Sequence, residues 1–171
     1  MIACRDAVPG DGCELAAMAK RSFTDTFGSL YRAEDLSAFL DQAFGADGLP
    51  SQIGDPDFAI RLAIDDGRIV GFAKVGPNAL PIPDAENANA VELYQLYVLA
   101  SHHGDGAGPV LMDWAIGQAR ARGAGTLALS VYVNNHRAKA FYARYGFVDV
   151  GRFDFAVGDH VDEDRMMVLA L

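Results

Sequence analysis

The sequence predicts an α/β (α+β) fold on three observations. Strand-like and helix-like segments alternate along the chain, two hairpin signals interrupt the alternation, and one long strand runs through a glycine-rich turn into a helix and then a second strand. In order, "IACR" is a short strand. "PGDGCELAAMAKRSF" follows as a helix, with Asp11 placed to cap it and Leu15, Met18 and Ala19 on one face. "RAEDLSAFLDQAFG" sets Leu36, Phe39, Leu40 and Phe44 at helical spacing and stops at Gly45. Residues 47–57 read as a loop, and "FAIRLAIDDGRIVGFAKVG" as two β-rich runs joined at Asp66-Gly67. Residues 77–90 carry three prolines and no periodicity, hence a surface loop. "VELYQLYVLA" is a long strand, "PVLMDWAIGQARARG" a helix beginning near Pro109 and closed by Gly123, and "TLALSVYV" a strand. "NHRAKAFYARYG" is a helix ending at Gly146, and residues 147–171 form a closing pair of strands. The stretch from strand 91–99 through the helix to strand 126–133 is a crossover, which makes those two strands parallel.

Length and composition suit a single domain spanning residues 1–171. A chain of this size buries about 70 % of its unfolded surface, so it needs neither metal nor disulfide to fold. The net charge of -9, without a basic face, speaks against nucleic acid as a partner and mildly favours a cationic small molecule. Cys4 and Cys13 make neither a disulfide framework nor a zinc site and read as small residues in a reducing compartment. No apolar signal core opens the chain, and no run reaches the roughly 18 apolar residues of a membrane helix. A cytoplasmic protein with no membrane partner is therefore expected. Nothing near His102 and His103 completes a metal site, and "GDHVDEDRM" reads as a hairpin turn with an acidic rim instead of a calcium loop, so no metal is expected.

The segment "SHHGDGAGPVLMDWAIGQA" places Gly104, Gly106 and Gly108 at the mouth of a helix. A helix start exposes unpaired N–H groups and the positive end of the macrodipole, and Pro109 suits its first turn because the missing N–H costs nothing there. Bare backbone lets a bulky anion approach those groups, which points to a phosphate or diphosphate cradle. The alternative is a turn whose glycines merely pack a helix on a sheet. The spacing is neither that of a Walker loop, which needs a lysine, nor that of the dinucleotide fingerprint.

Two stretches resemble the GNAT superfamily of N-acetyltransferases. "LYVLASHHGDGAGPVLMDWA" is similar to its acetyl-CoA motif Gln/Arg-x-x-Gly-x-Gly/Ala, with His103, Gly106 and Gly108 at the three marked positions. "VNNHRAKAFYARYGFVDVGRF" is similar to its Asn-x-x-Ala-x-x-Phe-Tyr-x-x-x-Gly-Phe stretch, matched by Asn135, Ala138, Phe141, Tyr142, Gly146 and Phe147. The closing strands and the 58–76 hairpin look most like the branch of small-amine and polyamine acetyltransferases. The resemblance implies a central mixed, mostly antiparallel sheet of about seven strands, splayed at its parallel pair and flanked by about four helices. It also implies acetyl-CoA as co-substrate and an amine, on a small molecule or a peptide, as acceptor. A homodimer is common in such families. A non-catalytic acetyl-CoA-binding or sensory domain on the same fold is the alternative, and a nucleotide-binding α/β module a third reading.

What the resemblance implies for individual residues is as follows. Backbone at Leu96, Tyr97 and Val98 pairs with the pantetheine arm, and the amides of His103, Gly104, Asp105, Gly106, Ala107 and Gly108 meet the diphosphate. Asn135 and Phe141 belong to the cofactor site, although Asn135 is also a helix cap and Phe141 a core ring. Tyr142 supplies a phenol to the leaving sulfur, or is a core tyrosine. Glu92, at the start of the splayed strand, is the expected base acting through water, or simply a solvated acid. Strict alternation would set Glu92, Tyr94, Leu96 and Val98 on one face. Phe27, Tyr31 and Tyr94 are expected near the acceptor, together with Phe39 and the 77–90 loop. His103 stands where the family usually has Gln or Arg, and Asp105 where a cation is common; an aspartate adds no attraction for a diphosphate.

Overall fold

The computed structural model describes residues 1–83 and 89–171. Among the described residues seven strands and four helices follow in the predicted order: β1 (Ala3–Asp6), α1 (Gly12–Phe27), α2 (Ala33–Phe44), β2 (Ala59–Asp65), β3 (Arg68–Pro77), β4 (Ala90–Val98), α3 (Ala107–Ala121), β5 (Thr126–Tyr132), α4 (His136–Arg144), β6 (Val148–Val157) and β7 (His160–Ala170). They build one sheet in the order β1-β2-β3-β4-β5-β7-β6, antiparallel except at β4 and β5. The β2–β3 turn puts Asp66 and Gly67 at φ 47° and 74°, the left-handed pair of a tight hairpin.

Each face of the sheet carries two helices. Ala115 and Ala119 let α3 lie close to the sheet, where Leu111 and Met112 meet Ala73, Val75, Leu127 and Leu129; Tyr142 and Phe147 bring the α4 segment to the same face. On the opposite face Leu15, Met18 and Phe23 of α1 and Phe44 of α2 pack on Leu62 and Phe72. Leu111 is wholly buried, so its truncation to alanine would cost about 2–5 kcal/mol. Among the described residues no helix is long and apolar enough to cross a membrane.

Two local expectations are corrected. Helix α3 begins at Ala107, two residues before Pro109, because Gly106 at φ 91° turns the chain into it; Pro109 still falls within the first turn. Alternation along β4 is broken. Leu93 pairs with Val75 but Gln95 pairs with Lys74, so Tyr94 is an extra residue, a bulge. Leu96 and Val98 therefore share a face with Leu93, while Glu92 falls on the other face with Gln95 and Tyr97.

Candidate active site

Among the described residues the parallel strands are paired at Ala90–Thr126, Val91–Leu127 and Glu92–Ala128. Beyond Glu92, β4 stays with β3 as far as Val98 and β5 stays with β7 as far as Tyr132. The strands thus part at the bulge, and a cleft of about 570 Å³ opens between them, reaching both faces of the sheet. Leu96, Tyr97, Val98, His103, Gly104, Gly106, Gly108, Asn135, Phe141 and Tyr142 all line it, as do Phe27, Tyr31 and Tyr94. Asp105, Ala107 and Glu92 do not: Asp105 is solvent-exposed, and Ala107, the first residue of α3, is buried in the core.

The glycine turn presents fewer free amides than its sequence suggests. The N–H of His103 donates to the Ala100 carbonyl and that of Asp105 to the His102 carbonyl. Those of Gly104, Gly106, Ala107 and Gly108 have no acceptor among the described residues. Gly104 (φ 95°) and Gly106 (φ 91°) are left-handed, and a Cβ at either would meet nothing within 4 Å, so backbone conformation and not crowding selects glycine there. Four open amides at the positive end of a 15-residue helix form an anion site. The cation absent from the loop comes from α4. Arg137 Nη1 donates to His103 Nδ1, whose Nε2–H donates to the Val98 carbonyl at 2.9 Å, so the imidazole ties loop, strand and arginine together. Arg144 also lines the cleft. Neither arginine belongs to the glycine motif, and sequence reasoning missed both.

Helix α4 opens on Asn135, whose Oδ1 accepts the Ala138 N–H at 3.2 Å. Two turns later Tyr142 is 9 % exposed, set between the rings of Phe141 and Phe147 at 5.6 and 5.8 Å. Its hydroxyl has no hydrogen-bond partner among the described residues, and burial pushes its pKa up to about 12. A phenol in this state stays protonated at neutral pH and gives up its proton only to a group in the cleft that has become more basic.

The other face differs. Glu92 is 6 % exposed, and its Oε2 accepts the Ala79 N–H at 2.9 Å. Burial raises its pKa, against the Ala79 and Leu80 amides and Lys74, which favour the charged form. Lys74 sits 4.6 Å above the Tyr94 ring and donates to Gln52 at 2.7 Å; burial lowers it to about 8. Lys74 thus packs on the bulge and Glu92 holds the loop that precedes β4, and neither side chain lines the cleft. Residues 84–88 of the 77–90 loop lie outside the described residues; of the remainder, none lines the cleft, and Leu80 and Ile82 are buried against Ala128, Met166 and Val168. Two acids unforeseen as site residues do line it. Asp162 and Asp164 of β7 are each 6 % exposed. Their signal was the alternation Asp162, Asp164, Met166, Val168, an acid pair on a face that continues as apolar core.

A mixed sheet split at its parallel pair, with a helix start opening into the split, defines an acyltransferase architecture, and known proteins agree. The structure superposes on the PaiA N-acetyltransferase of Thermoplasma acidophilum, solved with coenzyme A, at TM-score 0.80 with 20 % identity, covering 100 % and 99 % of the two chains. An acetyltransferase of Salmonella typhimurium solved with acetyl-CoA gives 0.72 at 18 % identity, covering 100 % and 94 %. Residues 17–147 match the acetyltransferase (GNAT) family, to which the chain belongs. An uncharacterized N-acetyltransferase of Mycobacterium tuberculosis (strain ATCC 25618 / H37Rv) is 35 % identical over 94 % of this chain and 98 % of its own. The aminoalkylphosphonate N-acetyltransferase of Salmonella typhimurium is 30 % identical over 79 % and 84 %. The protein is thus an acetyl-CoA-dependent N-acetyltransferase, which decides against the nucleotide-binding module that the loop alone left open.

Proposed function

We propose that the enzyme transfers acetyl from acetyl-CoA to a primary amine of a small molecule or peptide by direct attack in a ternary complex. The observation that carries this reading is the two-faced cleft, with open amides and a phenol on the α3–α4 side and an aromatic, acidic wall on the other. The diphosphate sits on the amides of Gly104, Gly106, Ala107 and Gly108, with Arg137 adding charge. The pantetheine arm runs along Leu96, Tyr97 and Val98, where β4 has left β5 and its cleft edge is free to pair. The amine enters beside Phe27, Tyr31 and Tyr94. As sulfur leaves, Tyr142 gives it a proton. The resemblance to the aminoalkylphosphonate enzyme supports a small amine as the acetylated group, not a phosphonate beside it.

Two measurements test the reading. Initial rates with both substrates varied should give intersecting lines; parallel lines would mean an acetyl-enzyme instead of direct attack. Tyr142→Phe should lower kcat by about 100-fold or more while leaving the dissociation constant of acetyl-CoA within about twofold. Unchanged turnover would remove Tyr142 from the chemistry.

A further inference from the structure

The acceptor side of the cleft has a chemical polarity of its own. Along β7 the charges sort by face: Asp162 and Asp164 turn into the cleft, whereas Arg165 points away and holds Asp149 at 2.8 Å. Asp162 is committed, since it accepts from the Tyr31 hydroxyl and sits 3.0 Å from His160 Nε2. Asp164 has no lysine or arginine partner. The titratable groups around it are Asp162, Tyr31 ahead of α2, Tyr97 on β4 and Tyr132, its pairing partner on β5, with Ser130 beside it. On the same face Gln95 Oε1 is fully enclosed and has no donor. Among the described residues the Lys or Arg side chains lining the cleft, Arg137 and Arg144, stand on α4 across the sheet. This wall thus combines a carboxylate that has no lysine or arginine beside it among the described residues with the rings of Phe23, Phe27, Phe39 and Phe155. It complements a ligand head that only donates hydrogen bonds.

Resting on the acetyltransferase reading above, we propose that Asp164 receives the ammonium head of the acceptor and takes its proton, and that the acceptor is a small alkylammonium without an anionic group. Burial and Asp162 push the Asp164 carboxyl up to about 7, so it can both hold a proton and release it near neutral pH. An alkylammonium titrates near about pH 10 in water, and the apolar wall lowers that value by desolvation. In the step, R–NH3⁺ passes one proton to Asp164 and becomes R–NH2. Its lone pair forms the C–N bond at the thioester carbonyl, the C–S bond breaks, and the thiolate takes the Tyr142 proton. The second amine proton restores the Tyr142 phenol, and Asp164 releases its own to solvent. The products are the acetamide, CoA–SH and one proton. An anionic group on the acceptor would meet two carboxylates on a wall lined by no lysine or arginine among the described residues.

The test uses the whole enzyme with n-propylamine and 3-aminopropylphosphonate as acceptors. Asp164→Asn should cut kcat/KM for n-propylamine by about 100-fold or more at neutral pH and abolish the rise in rate centred near 7, with acetyl-CoA affinity unchanged. The phosphonate should be at least about tenfold poorer than n-propylamine. Independently of turnover, carbon NMR of the wild-type Asp164 carboxyl should show its midpoint falling when n-propylamine is added to the CoA complex. Full activity in Asp164→Asn, preference for the phosphonate, or an unmoved midpoint would overturn the proposal. Acetyl-CoA binding with no turnover of either amine would overturn this proposal alone. Failure to bind acetyl-CoA would overturn the reading on which it rests.

Discussion

The two walls of the cleft are built by different means. On the α3–α4 side the groups that meet a ligand are mainly backbone: four amides at a helix start, set by left-handed Gly104 and Gly106. On the α1–α2 side they are side chains brought together by sheet order, from Phe27 and Tyr31 near the start of the chain to Asp162 and Asp164 near its end. Backbone recognition demands a contiguous, glycine-marked segment, which a sequence displays directly. Side-chain recognition leaves no compact pattern and is free to differ with the acceptor.

That contrast can be broken or sharpened by substitution. The largest effect is expected where the walls meet. Tyr142→Phe, with its expected loss of turnover of about 100-fold, should behave alike for every amine that is acetylated, because the proposed role of the phenol is toward the sulfur and not the acceptor. Next, Gly106→Val should weaken acetyl-CoA binding about tenfold or more by calorimetry, because a β-branched residue at φ 91° costs on the order of 1–2 kcal/mol. Acceptor preference should not change; if it did, the walls would not be independent.

Third, Asp164 links the acceptor wall to stability. Its folded pKa of about 7 lies above the unfolded value of 3.8, so the protonated form favours the fold. That contribution is complete below about 4 and is lost as pH rises through about 7. Melting temperature should therefore fall between pH 5 and pH 8 in the wild type, and less so in Asp164→Asn; equal declines would show that another group governs. A smaller effect is expected for Arg137→Ala, a several-fold, salt-sensitive loss of acetyl-CoA affinity with kcat preserved. Smallest of all on the rate should be Glu92→Gln. Buried against Ala79 and off the cleft wall, Glu92 should influence melting temperature while leaving the pH profile of turnover in place.

The same contrast explains what the sequence made legible. The element order, the parallel crossover and the glycine turn were readable because each rests on local periodicity or on residues such as Gly106 that only one conformation requires. The bulge at Tyr94 was not, since nothing in "VELYQLYVLA" distinguishes the residue that β3 leaves unpaired; it moved Leu96 and Val98 to the other face from Glu92. Arg137 lay within a recognised stretch, but its reach to His103 depends on how α4 packs beside the loop. Asp162 and Asp164 looked like the rim of a hairpin until pairing of β7 with β5 and β6 placed both on the cleft.

The central claim is that open backbone amides at the start of α3 grip the coenzyme. Amide NMR of the enzyme titrated with acetyl-CoA tests it most directly. The N–H signals of Gly104, Gly106, Ala107 and Gly108 should move downfield together and saturate with the binding isotherm, while those of His103 and Asp105, already donating within the turn, move less. Saturable binding that leaves those four signals in place would contradict the account.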